Sequence, residues 1–248
     1  MKKISPERLQ LLNTGQIESR HLVEFLALDP ELILKNNFPE FNYIKPVSRI
    51  GIVQKLEHIA ANLNDQFGFQ KFEQLSSHKS DLIRSLACYL LAKQPFSFED
   101  KLELMTKLAE DQNSGVREWA WLAIRKEFAQ DLIKNIFYLV HFTDQSPNLR
   151  RFVCELSRPR GVWCRHILEF RESPWLGLEI IEPLKSDEAK YVQLSVGNWL
   201  NDASKTQSNW VKELCFKWQQ ESSTKHTHAI CKRALRTIHK EENIRPLA

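Results

Sequence analysis

The 248-residue chain is poor in the residues that several protein classes require. Seven glycines in this length argue against a turn-rich β protein. The five cysteines (88, 154, 164, 215 and 231) are odd in number, widely spaced and without a CxxC pair, so they read as reduced thiols in a reducing compartment. No apolar run is long enough for a signal peptide or a membrane span, which makes the cytoplasm the expected location. No glycine-rich loop precedes a helix as a nucleotide cradle would, and nothing resembles a nucleophile elbow. His226-Thr-His228 has no cysteine or acid nearby at ligand spacing, so neither a metal nor another cofactor is expected.

Helix signals are abundant. Ser5-Pro6-Glu7, Asp29-Pro30-Glu31, Ser146-Pro147 and Ser173-Pro174 each place a capping side chain before a proline that suits the first helical turn. Ser97-Phe-Glu-Asp100 resembles a capping box, and Asp131 opens a further apolar helix. Ile50, Val53, Leu56, Ile59, Ala60 and Leu63 keep the three-four spacing of one helical face. No segment alternates as a strand would, so the chain is expected to be all-α.

The helices also repeat. Ile83-Arg-Ser-Leu-Ala87, Val116-Arg-Glu-Trp-Ala120, Leu149-Arg-Arg-Phe-Val153, Val192-Gln-Leu-Ser-Val196 and Ile230-Cys-Lys-Arg-Ala234 align at offsets of 33, 33, 43 and 38 residues. Each has an aliphatic residue, usually a basic or polar one next, and a small or β-branched residue four after the first. A helix pair at this period predicts a right-handed α-solenoid of HEAT-like pairs. The motif helices would line one concave, basic wall, with Arg84, Arg117 and Arg150 projecting in similar registers. We expect one domain over 1–248, with a helical cap over 1–50 and the repeat wall with its cleft over 80–240.

Charge is concentrated. Five arginines (150, 151, 158, 160 and 165) face one acid, Glu155, between Ser146 and Leu168, a surplus equal to the net charge of +4. Pro159 is expected to break that helix, leaving Trp163 in a loop where its ring is available or, alternatively, plugs the break. Of the other tryptophans, Trp175, Trp210 and Trp218 are expected in the core. Asn201-Asp202-Ala-Ser-Lys205 follows a repeat helix expected over 189–201. Asp202 there is either a cap or a carboxylate aimed at the wall, and Glu118 and Glu155 pose the same choice. The run 225–240 holds five basic residues and no acid, either a phosphate rail or a solvated helix face.

Leu149-Arg-Arg-Phe-Val-Cys-Glu-Leu-Ser-Arg-Pro-Arg-Gly-Val-Trp163 resembles the AlkC branch of the HEAT-like-repeat DNA alkylation repair glycosylases, whose pattern is Val-Arg-Arg-x-x-x-Glu-Gly-x-Arg-Pro-Arg-x-x-Trp. Glu182-Pro-Leu with Tyr191-Val-Gln-Leu-Ser-Val-Gly-Asn-Trp-Leu-Asn-Asp202, and Arg233-Ala-Leu-Arg-Thr-Ile238, are similar to further blocks of that branch. The resemblance covers about residues 114–240. It implies hydrolytic removal of cationic N-alkylated bases such as 3-methyladenine from double-stranded DNA, without base flipping and without a cofactor, metal or membrane, by a monomer. It implies further that Asp202 and Glu118 are the carboxylates at the lesion, and that Trp163 and Glu155 contact it. Arg151, Arg158, Arg160, Arg165, Lys205, Lys232, Arg233 and Arg236 would engage the DNA.

The chain departs from the pattern at Leu156, in place of a glycine, and at Gln193, in place of a basic residue, which is expected to remove one phosphate contact. It is also expected to lack the immunoglobulin-like domain some members carry. A non-catalytic protein binding branched or damaged DNA is the alternative to a glycosylase, and an interaction scaffold is a third. Asp202, Trp163 and Glu155 together favour catalysis, and the basic surplus favours DNA.

Overall fold

A computed structural model of the chain describes residues 4–46 and 50–244. Of the expected 1–50 cap, residues 1–3 and 47–49 lie outside the described residues. Among those described there are helices and no strands, so the chain is all-α. The α-helices are α1 (Pro6–Asn13), α2 (Leu22–Leu26), α3 (Pro30–Asn37), α4 (Ile52–Phe67), α5 (Phe72–Ser76), α6 (Asp81–Ala92), α7 (Phe98–Ala109), α8 (Ser114–Phe128), α9 (Leu132–Val140), α10 (Pro147–Leu156), α11 (Leu168–Glu172), α12 (Leu178–Ile181), α13 (Lys190–Ser204), α14 (Ser208–Glu221), α15 (Lys225–Ala234) and α16 (Arg236–Ile244). They fall into two compact units, Met1–Ile124 and Arg125–Ala248.

Starts follow the sequence signals. Ser5, Asp29, Ser97 and Ser146 accept hydrogen bonds from the amides of Arg8, Leu32, Asp100 and Leu149 at 3.1–3.2 Å. Each such cap stabilises its helix by about 1 kcal/mol. In the first unit α6 is buried along nearly its whole length and packs on α4, α5 and α7. In the second, α13 packs against both α10 and α15. The first and fifth residues of all five repeat motifs are buried, from Ile83 and Ala87 to Ile230 and Ala234.

The second motif residue behaves differently from expectation. Arg84, Arg117 and Arg150 do not stand out from a wall; each turns back onto the loop before its own helix. Arg84 Nη1 donates to the carbonyls of His78 (2.7 Å) and Lys79 (2.9 Å). Arg117 Nη1 does the same to Asp111 (2.6 Å) and Gln112 (3.1 Å), and Arg150 Nη1 to Gln145. Gln193 Nε2 repeats this with Asp187 (2.8 Å) and Glu188 (3.2 Å). Gln193 is therefore a loop clamp like its arginine counterparts, and its amide does not stand in for a missing phosphate contact. In two repeats the arginine also reaches forward to the loop clamped by the next motif residue, Arg84 Nε donating at 2.6 Å to Asp111 in the Arg117 loop and Arg150 Nε at 2.6 Å to Asp187 in the Gln193 loop.

Two further expectations change. Trp175 is half-exposed, because the buried space beside that turn is filled by Trp199: a Cβ on Gly177 would lie 2.6 Å from the Trp199 ring. Trp218 is fully buried as expected, and Trp210 partly. Leu156, at the family's glycine position, is buried in the core.

Candidate active site

Two helices end on carboxylates. Glu155 lies in the last turn of α10, which stops ahead of Pro159 because a proline disfavours helical backbone at the residue before it. Asp202 lies in the last turn of α13, which continues to Ser204 rather than ending at 201. The negative end of a helix dipole opposes a carboxylate in both places, so each needs a cation or donor close by. Both are nearly buried, at 4% and 3% exposed, which sharpens that need.

Arg158 meets it. Its Nη1 donates to Glu155 at 3.0 Å, and its Nε and Nη2 donate to one Asp202 oxygen at 3.0 and 2.7 Å. Burial pulls the guanidinium down, but the Glu155 and Asp202 carboxylates outweigh it and hold it above the ordinary arginine range. The other oxygens are also occupied: Lys205 Nζ is 3.0 Å from Asp202, and the Ser195 hydroxyl donates to Glu155. Arg151 lies 3.8 Å from Glu155, with its guanidinium 4.3 Å from the centre of the Tyr191 ring. Glu155 and Asp202 are thus brought into one bridged pair with Arg158, Arg151 and Lys205 around them.

Cations with other environments lie beside this pair. Arg160 Nε donates to the Asp202 carbonyl at 3.2 Å. Burial lowers its pKa and Arg171 lowers it further. His166 is likewise held below the usual imidazole range by burial and then by Arg160 and Arg171. Arg233 Nε and Arg236 Nη1 converge on the Asn198 side-chain oxygen at 2.9 and 3.1 Å. Gly197 permits this approach, because a Cβ there would sit 2.8 Å from the Arg233 Cβ. Arg165, Lys205, Lys232 and Arg236 are exposed.

Trp163 is 48% exposed in the loop after α10, with φ at +61°. It is the non-glycine residue with positive φ among those described, an arrangement costing about 1–2 kcal/mol for an L residue. Glu118 lies in the first unit, on α8, and accepts from Trp121 Nε1 at 2.9 Å. Among the described residues no group of three or more His, Cys, Asp or Glu is placed to hold a metal. His226 and His228 instead receive the side-chain amides of Gln193 (2.9 Å) and Gln219 (3.2 Å). No helix among those described is long and apolar enough to cross a membrane.

The sequence reasoning missed Ser195, which supplies a Glu155 donor, and Arg125, which holds the loop backbone. A serine one turn before Asn198 in the matched block was a signal for the first. Nothing in the sequence signals the second, because its partners are carbonyl groups.

A solved chain of Pseudomonas fluorescens alkylpurine DNA glycosylase AlkC, bound to DNA containing an abasic-site analogue, matches this structure with a TM-score of 0.65. The match covers 96% of this chain and 64% of that one, at 24% identity. The chain has an AlkC-like fold. An uncharacterized Bacillus subtilis (strain 168) protein, YhaZ, is 35% identical over 127 residues, 51% of this chain and 35% of that protein. The chain thus spans about a third of YhaZ and less than two thirds of the solved neighbour. No protein-family profile matches it.

Proposed function

We propose that this chain is a DNA glycosylase that hydrolyses the N-glycosidic bond of cationic N-alkylated bases, such as 3-methyladenine, in duplex DNA. The observation that carries the reading is the buried Glu155–Arg158–Asp202 bridge, with Arg160 and Arg236 near Asp202 and the exposed ring of Trp163 in the loop that follows Arg158. The AlkC-like fold supports it.

A base methylated at a ring nitrogen is already positive, so its C1′–N bond can break without a general acid. The bonding pair leaves with the base and the sugar becomes oxocarbenium-like. A fixed carboxylate stabilises that charge. Asp202 fits this role, since its side chain is held by Arg158 and Lys205 in one orientation. The same carboxylate can accept a hydrogen bond from water as it attacks C1′ and receive the proton released, giving free base and an abasic sugar. An exposed indole face at Trp163 suits a cationic base or sugar, a contact of about 0.5–2 kcal/mol. Arg160, Arg165, Lys232, Arg233 and Arg236 suit phosphates on either side. Arg158 acts on the carboxylates, because its donors are committed to them. The exposure of the Trp163 ring supports excision without base flipping.

The test is base release from DNA treated with a methylating agent, with Asp202→Asn in parallel. We expect release by the native chain and a drop of about 10²-fold or more in the variant. Binding to DNA without release by the native chain would support the binding-only alternative and overturn the enzyme reading. Equal release by both would remove Asp202 from its role.

A further inference from the structure

Arg125, at the start of the second unit, has no part in the chemistry above and is 3% exposed. It pairs with no carboxylate among the described residues. Its guanidinium is spent on the main chain instead: Nη1 donates to the carbonyls of Glu155 (3.4 Å) and Leu156, and Nη2 to that of Arg158. Nε makes no hydrogen bond, and the side chain that interacts most with the guanidinium is the Cys164 thiol, whose pKa burial pushes up and Arg125 lowers in part. The first two carbonyls are the last two of α10, where a cation meets the negative pole of the helix, and that of Glu155 also accepts from Arg158 N at 3.3 Å. The third belongs to the residue whose side chain bridges Glu155 and Asp202.

The loop folds over the same guanidinium. A Cβ on Gly161 would lie 3.3 Å from the Arg125 Cζ and 2.4 Å from the Cys164 sulfur, so this backbone is pressed flat against both. Ile167 N donates to the Pro159 carbonyl at 3.1 Å and closes the loop at its base. Within it sits Trp163 in its left-handed conformation, which persists only where the surroundings over-determine it. Burying an arginine without a carboxylate partner is costly, and burial lowers its pKa. Such a group is retained where it does something an apolar residue cannot.

We infer that Arg125 is a positioning residue, a main-chain clip that sets the α10 end and the 158–167 loop so that Arg158 reaches both carboxylates and Trp163 stays turned outward. Its role in excision rests on the glycosylase reading; its role as a clip does not. The two are separated by a readout inside the loop. Cys164 is the one partly exposed cysteine of the five, the others being buried. Its rate of modification by 5,5′-dithiobis(2-nitrobenzoate) under native conditions reports loop opening, with Cys164→Ser identifying the signal.

Arg125→Met is expected to speed Cys164 modification about tenfold or more by raising the open population, and Arg125→Lys to fall between it and the native chain. Gly161→Ala pushes the loop off the clip from the other side and keeps the test decisive where Arg125→Met does not fold. In single-turnover excision, Arg125→Met should slow base release about tenfold while the DNA dissociation constant stays within about threefold, the split expected of misplacement rather than lost binding. Arg125→Lys and Gly161→Ala keep a cation beside the thiol, and Cys164 modification unchanged within twofold in both of these folded variants would overturn the clip. Release rate and DNA affinity falling together would reduce Arg125 to a purely structural role. If the native chain releases no base, the glycosylase reading fails and the labelling result still decides the clip.

Discussion

Replacing Arg158 with methionine removes the cation between two carboxylates that are 4% and 3% exposed. Breaking a buried ion pair by deleting one partner costs about 3–5 kcal/mol. Lys205 remains 3.0 Å from Asp202, and Ser195 and Arg151 remain on Glu155, so the lower end applies, about 3 kcal/mol. For a chain of this length that lowers the melting temperature by about 6–12 °C.

Urea unfolding of the variant and the native chain at pH 7 measures the penalty. A gap under about 1 kcal/mol would refute the bridge as the organising contact.

Two other outcomes follow from the same structure. Trp163→Gly and Trp163→Ala both remove the exposed indole, so both should abolish most base release. Because φ is +61°, the glycine variant should be about 1 kcal/mol more stable than the alanine one in the same urea assay, and equal stabilities would show that the left-handed backbone is not held in solution. In the first unit, Arg8 donates to both Glu24 oxygens at 3.1 and 2.9 Å and holds that carboxyl down to about 2. A depressed carboxyl stabilises above its unfolded pKa and loses that contribution as pH falls from about 4.5 to about 2. Arg8→Met should flatten this acid loss, read as melting temperature against pH; an unchanged slope would count against the pair.

The fold was legible where apolar residues recur at fixed spacing. All ten first and fifth motif positions are buried, because a helix that stacks on neighbours must repeat its apolar face at the period of the stack. The bridge was half legible: Glu155, Arg158 and Asp202 all stand out through the family blocks, but the sequence assigns Arg158 to DNA, and the structure commits its donors to the two carboxylates. Whether an arginine meets phosphate, carboxylate or carbonyl depends on acceptors brought near by folding. Arg84, Arg117 and Arg150 were mistaken for wall residues for that reason, their acceptors being loop carbonyls that no side chain announces.

Those loop clamps also bear on the order of assembly. Arg84, Arg117, Arg150 and Gln193 each reach carbonyls five or six residues back, so closing them orders only a short stretch of chain. The Arg158–Asp202 contact spans 44 residues and requires α10 and α13 to be docked first. Loop-closure entropy therefore lets each helix start form locally, ahead of any docking, and leaves the bridge among the late contacts. A substitution at Arg158 then acts mainly on how fast the second unit comes apart, while one at a clamp acts on how readily a repeat begins.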